Sequence, residues 1–390
     1  MDQTKVLLYA VGDVGPNRDN PESIFAAAAP TLKKADILFG QLEAVFTERP
    51  IPQCNQTWPG LSTHPKNVSA LTSVGFDVLS FASNHLLDCG EPGLLDTIDL
   101  LRKNQITVIG AGKNLDEARK PAIFERNGTK VAFLAYCSVL PLGYEARRAG
   151  GGLPEKPGAA PMRVSTSYTH ESWQPGTPPR IITLANKEDL EAMKDDIAKA
   201  KSLADVVVVS QHWGIHYLPG LIAMYQKEVA YAAIDAGADL LLGHHPHLLK
   251  GIEIYKGKVI FYSIGNFAFD LAVAFMIDHK SPERYGFELD PEYPTFPFPP
   301  QSRKTMIVKC VISDKKVAKV SFLPALINKL GQAEVLPRSD KRSSDVVDFV
   351  EWSNKNLEPT LFGRQKLSAT RLSWEGDEVV INIKYQSLSQ

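Results

Sequence analysis

Residues 205–210 read Asp-Val-Val-Val-Val-Ser. Four β-branched residues in a row, with no polar face between them, make a strand covered on both sides. The segment before it, 187–204, has apolar residues at helical spacing, and so does 221–236 after it. The same alternation runs through the first two thirds of the chain. Strand-like runs fall at 6–11, 36–39, 77–81, 106–109, 131–136, 180–184 and 239–242. Helical patterns fall at 21–33, 65–74 and 91–103, and a hairpin is expected from 252–255 and 259–262. Strands that alternate with helices in this way specify a layered α/β domain.

A chain of 390 residues allows two or three domains, or one large domain with an appendage. The expected division is one large α/β domain over 1–330 and a small α+β appendage over 331–390. Two stretches break the alternation. Residues 140–180 are rich in Gly and Pro, and residues 271–302 carry five prolines from 291 to 300, interleaved with Tyr293, Phe296 and Phe298. Loops of this length inside a compact domain tend to be lids or binding loops, so both are candidate substrate lids.

Composition removes several classes of function. Lys and Arg total 43 against 44 Asp and Glu, for a net charge of -1, which leaves no global electrostatic case for nucleic acid or an anionic membrane. No run approaches the roughly 20 apolar residues of a membrane helix. The first strand begins within a few residues of Met1, so neither leader nor anchor is expected and the location read from sequence is cytoplasmic. The four cysteines are widely spaced, without a CxxC pair, and suggest neither a zinc ribbon nor a disulfide scaffold. GxSxG, Walker A and GxGxxG motifs are all missing.

The placement of polar residues is more informative. The run 6–11 leads into Gly12-Asp13, and 36–39 into Gln41-Leu42-Glu43. The run 77–81 leads into Ser83-Asn84-His85, 205–210 into Gln211-His212-Trp213-Gly214, and 239–242 into Gly243-His244-His245-Pro246-His247. Ligands of α/β sheets bind outside the carboxyl ends of the strands, where the loops converge. Six of the nine histidines (His85, His212, His216, His244, His245 and His247) lie just after these runs. Imidazoles with carboxylate and amide oxygens suit zinc, manganese or iron better than the all-oxygen cages of magnesium or calcium. Alone, Gly-Asp reads as a turn and His212 as a satisfied core histidine. Three imidazoles in four positions around a proline have no ready structural reading.

The ordered set GD at 12–13, QLE at 41–43, ASNHLLDCG at 82–90, QHWG at 211–214, GHHPH at 243–247 and YSIGNF at 262–267 resembles the CapA-like family. The founding members of that family are poly-gamma-glutamate capsule synthesis proteins. The family in turn resembles the calcineurin-like metallophosphoesterases. That resemblance implies a four-layer sandwich of two β-sheets flanked by helices, and one or two divalent ions. Glu43 would bridge, with Asp13 and His247 at the first metal position and Asn84, His212 and His245 at the second. His85 would be the general acid and Asp88 its partner, while Arg18, His216, His244 and Asn266 would face substrate. Arg147, Arg148 and Arg284, on the two long loops, could clamp a carboxylate bidentately.

The chain departs from the pattern at several points. Gly15 stands where the phosphatases carry a first-motif histidine, and Glu43 replaces an aspartate. Gln41 stands in place of asparagine and His216 in place of glutamate. Loss of the first-motif histidine favours carbonyl chemistry on an amide, ester or lactone, with a small-molecule or glutamyl-type substrate. A phosphoesterase and a non-enzymatic role in capsule synthesis are the alternatives, and a homo-oligomer stays open.

Overall fold

The computed structural model describes residues 5–51, 61–170, 174–359 and 370–383. Its strands of three or more residues, in chain order, are β1 (Val6–Gly15), β2 (Ile37–Leu42), β3 (Val78–Ser80), β4 (Thr107–Ile109), β5 (Ala122–Arg126) and β6 (Thr129–Cys137). They continue as β7 (Val164–Thr169), β8 (Arg180–Ala185), β9 (Val206–His212), β10 (Leu240–His244), β11 (Ile252–Tyr255) and β12 (Lys258–Phe261). The last third adds β13 (Asn266–Phe269), β14 (Lys304–Ser313), β15 (Lys316–Ile327), β16 (Ala333–Val335), β17 (Leu372–Glu375) and β18 (Glu378–Ile381).

Two sheets carry the fold, as the α/β reading anticipates. The larger has the order β17-β18-β15-β14-β1-β2-β3-β4, with β13 also paired to β1 and β16 to β15. The smaller has the order β11-β12-β10-β9-β6-β5. β1, β2, β3 and β4 are parallel neighbours, and β6, β9, β10 and β12 likewise, so each sheet sends its loops out along one edge.

The run at 205–210 is covered on both sides, as its composition dictates. Val206 and Val208 join Leu240 and Leu242 in the core between the sheets. Val207 and Val209 pack outward with Leu241, Met193, Ile197 and Val229. Two helices cover that outer face: α1 (Lys187–Leu203), whose Asn186 caps the Asp189 N–H, and α2 (Met224–Asp235). Between the sheets, the Phe39 ring of β2 stacks on the Phe133 ring of β6 at 6.0 Å.

The structure departs from the sequence reading in several elements. The helix expected over 21–33 is a 3₁₀ turn, Pro21–Phe25, and a single helical turn, Ala29–Leu32. Pro30 has no N–H to continue a helical ladder there. β1 runs four residues beyond Val11, because β13 supplies partners for Asp13, Val14 and Gly15. The stretch 140–180 contains β7, an exposed strand that forms a hairpin with β8, and two short helices, Val273–Asp278 and Ser281–Tyr285, lie within 271–302. The segment from 331 on adds β16 and β18 to the edge of β15, and the helix α3 (Lys341–Lys355) packs on β15 and β11. Cys137 and Cys310 are free and buried, Cys89 is buried, and Cys54 lies outside the described residues. No helix among the described residues is long and apolar enough to cross a membrane.

Candidate metal centre

Asp13 sits near the end of β1, Glu43 follows β2, and Asn84 and His85 follow β3. From the other sheet, His212 ends β9, His244 ends β10, and His245 and His247 follow it. Asn266 opens β13 directly opposite Asp13. The oxygen-bearing side chains therefore come from the larger sheet and the imidazoles of the cluster from the smaller. The turn after β10 is conformationally unusual: His245 and His247 have φ of 93° and 55°, a region that L residues with bulky side chains rarely adopt. Pro246 between them accepts the Tyr217 N–H through its carbonyl at 3.1 Å.

These residues converge into two clusters that share one carboxylate. Glu43, His212 and His245 form one group, and Asp13, Glu43 and His247 the other, with the candidate ligand atoms of each group within 4.8 Å of one another. Glu43 Oε1 lies 3.0 Å from His212 Nε2, and its Oε2 lies 3.7 Å from His247 Nε2. Asp13 Oδ2 is 3.3 Å from His247 Nδ1. Asn84 Oδ1 stands 2.8 Å from His212 Nε2, which places it at the edge of the group around His212.

The electrostatics call for a cation. Asp13 and Glu43 are completely buried, and none of their four oxygens makes a well-formed hydrogen bond. Uncompensated buried carboxylates are expensive. Burial works against ionisation of Asp13, but His244 and His247 outweigh it and hold the carboxyl well below the usual range. Burial also pushes His247 down, yet Glu43, Asp13 and Asn266 raise it to about 9. Burial and the surrounding imidazoles keep His245 and His216 well below the ordinary histidine value, so both are neutral lone-pair donors. Buried atoms without partners collect here: Nδ1 of His245, Nε2 of His216 and both ring nitrogens of His244. Unpaired lone pairs of carboxylate and neutral imidazole, turned toward a shared centre, fit a divalent metal of the zinc, manganese or iron type.

Around the clusters, His85 Nδ1 bonds Asp88 Oδ2 at 2.8 Å, and the same oxygen accepts the Leu61 N–H at 2.7 Å. Burial lowers the His85 pKa, but the Asp88 charge and hydrogen bond reverse this and leave it raised. The His216 ring lies 3.9 Å from that of His245 and 5.2 Å from that of His247. His244 Nδ1 lies 3.5 Å from Asp13 Oδ1, so this histidine backs the carboxylate. Phe298 of the second long loop, together with Tyr217, Tyr285 and Phe275, which the sequence reading did not single out, completes an aromatic surround. Tyr217 lies 5.8 Å from His247, Tyr285 6.1 Å from His216, Phe298 5.1 Å from His247 and Phe275 6.2 Å from His85, ring to ring. Adjacency to His216 was the one available signal for Tyr217.

Three of the arginines expected to face substrate are engaged away from the clusters. Arg18 is committed to Asp270, with Nη2–Oδ1 at 2.6 Å and Nε–Oδ2 at 2.9 Å. Arg148 pairs with Asp116 at 2.6 Å, and Arg147 donates to the Pro154 carbonyl at 3.1 Å. Arg18 and Arg148 are paired with acids, and none of the three bonds a residue of the two clusters among the described residues. Phe296 and Phe298 are core residues, and Tyr293 lies beneath the Arg303 guanidinium at 3.6 Å.

The family model described as bacterial capsule synthesis protein PGA_cap matches residues 7–271, more than half of the chain. The chain belongs to that family. All the residues of the two clusters lie within the matched span. Among PGA_cap relatives, the PGA biosynthesis protein CapA of Bacillus subtilis (strain 168) is 33% identical over 250 residues, which is 64% of this chain and 57% of the relative. The capsule biosynthesis protein CapA of Bacillus anthracis is 31% identical over 279 residues, 69% of this chain and 61% of the relative. The match thus spans less than two thirds of either relative. A crystal structure of a hypothetical protein from Thermus thermophilus superposes with a TM-score of 0.45 at 12% identity, covering 82% of this chain and 98% of that one.

Proposed function

We propose that this member of the PGA_cap family is a metal-dependent hydrolase of carbonyl compounds, with a glutamyl-type amide as its first candidate substrate and esters and lactones next. The observation that carries the reading is the sharing of Glu43 by two groups of buried ligand residues whose carboxylate oxygens have no hydrogen-bond partner. Asp13, Glu43 and His247 would hold one ion, and Glu43, Asn84, His212 and His245 the other. Bound there, divalent zinc, manganese or iron supplies a water of near-neutral pKa and Lewis acidity for a carbonyl oxygen. The remaining chemistry belongs to the chain. His85, held by Asp88, delivers a proton to the leaving nitrogen or oxygen from its Nε2, as Nδ1 is engaged by the carboxylate. Phe275, Tyr217 and Tyr285 narrow the approach and exclude bulk water.

One observation favours a carbonyl over a phosphate ester: Arg18, a cation that could balance phosphate oxygens, is neutralised by Asp270. The glutamyl class follows from the names of the Bacillus relatives, which refer to PGA and capsule biosynthesis.

The test is metal analysis of the purified protein, followed by turnover of γ-glutamyl amides, esters, lactones and an aryl phosphate before and after chelation. Metal-dependent cleavage of a carbonyl substrate is expected. Rates that survive complete chelation would sink the reading, and cleavage of the aryl phosphate alone would replace it with the phosphoesterase.

A further inference from the structure

The first position of the proposed metal pair is one protein group short, because Gly15 stands where a histidine is expected. A side chain there would be crowded by β13. A Cβ at Gly15 would lie 3.0 Å from Cε2 and 3.2 Å from Cδ2 of Phe269. Phe269 is itself the register partner of Gly15 in the parallel β1–β13 pair. The strand that fills this space begins with Asn266, opposite Asp13. Paired residues of neighbouring strands project to the same face of a sheet, so the amide and the carboxylate stand side by side.

We propose that Asn266 is the fourth protein ligand of the first metal position, delivered by β13 in compensation for the side chain that position 15 lacks. This rests on the metal reading given above. Its support is a repeated geometry. Around the second position, Asn84 Oδ1 stands 2.8 Å from His212 Nε2. Around the first, Asn266 Oδ1 stands 2.8 Å from His247 Nδ1, and that nitrogen is 3.3 Å from Asp13 Oδ2. Separations near 3 Å are those between neighbouring donors on one ion with bonds of about 2.0–2.2 Å. Asn266 is completely buried and the oxygen, not the Nδ2, is the end of its amide turned to His247. Each position thereby receives one neutral amide oxygen, and Glu43 serves both.

The alternative is that the Asn266 amide only accepts the His247 Nδ1–H and fixes the ring. A structure of the zinc-loaded wild type with anomalous scattering separates the two. The expected result is an ion at the first position about 2.0–2.2 Å from Asn266 Oδ1. Zinc titration of chelator-stripped protein should find two equivalents in the wild type, one in Asn266→Ala, and two again in Asn266→Asp, which keeps an oxygen and the side-chain shape. An ion at the first position more than about 3 Å from Oδ1, with the amide bonded to His247, overturns the assignment and leaves the hydrolase reading standing. Absence of zinc from the wild type overturns both. If Asn266→Ala does not fold, the wild-type structure and the Asp variant still decide.

Discussion

Nδ1 of His85 lies 2.8 Å from Oδ2 of Asp88, three residues further along the same turn, and the Leu61 N–H fixes that carboxylate from the other side. The bond leaves Nε2 as the nitrogen available to a substrate. His85→Ala should therefore keep the metal content of the wild type while kcat falls by roughly 10²–10⁴, the range for a positioned proton donor. Asp88→Asn should produce a smaller loss. Elemental analysis beside steady-state kinetics checks both, and loss of metal in His85→Ala would make His85 a ligand instead.

Glu43 is shared by both clusters, whereas His245 belongs to one. Glu43→Ala is expected to lose both equivalents of metal, and His245→Ala only one. Equal losses in the two variants would contradict a bridging carboxylate.

Gly12 makes a close approach on which the centre depends. A Cβ there would stand 1.8 Å from the Gly265 carbonyl oxygen, which accepts the Asp13 N–H at 3.0 Å. Gly12→Ala should push β13 off β1 and lower stability by about 3 kcal/mol, read by urea unfolding, with weaker metal binding in whatever remains folded. A variant as stable as the wild type would show that the two strands separate at no cost.

Lys250 offers a test by pH. Its ammonium is buried and donates to the Leu218 carbonyl at 2.9 Å and to that of Leu221, and burial pushes its pKa from 10.5 down to about 7. Between those values the unfolded chain keeps the proton and the folded chain releases it, so stability rises with pH. The penalty of the buried charge is fully present below pH 7 and fades toward pH 10.5. Lys250→Met removes it. The stability of this variant minus that of the wild type should therefore fall from pH 7 to pH 10, by up to about 4 kcal/mol at 1.36 kcal/mol per pKa unit. Urea unfolding at several pH values measures this. A difference that is flat with pH would mean Lys250 does not titrate in that range.

How far the amino acids alone reveal this molecule depends on how local the signal is. The run at 205–210 specified a doubly covered strand, and Val206 to Val209 do alternate between two cores. The hairpin at 252–261 was legible because Lys256-Gly257 makes a two-residue turn with both φ positive. Asp13, Glu43, Asn84, His212, His245 and His247 could be named together because each follows an apolar run. Asn266 could be named but not placed, since its strand has four residues and acquires meaning only through its pairing with β1. The pairings of Arg18 and Arg148 were hidden for the converse reason. A free arginine and one paired with a distant aspartate look alike in sequence, and Asp270 is 252 residues from Arg18.

The division of donors between the sheets bears on how such a chain matures. Asp13, Glu43 and Asn84 leave the ribosome well before His212, His245 and His247, so the nascent N-terminal half presents only oxygens from this set. Oxygens alone discriminate poorly among divalent ions and hold them loosely. Tight capture must wait until the second sheet has been synthesised and docked on the first, at Phe39 against Phe133. An ion bound across that seam would rivet the two halves, and its acquisition would then require a completely folded chain.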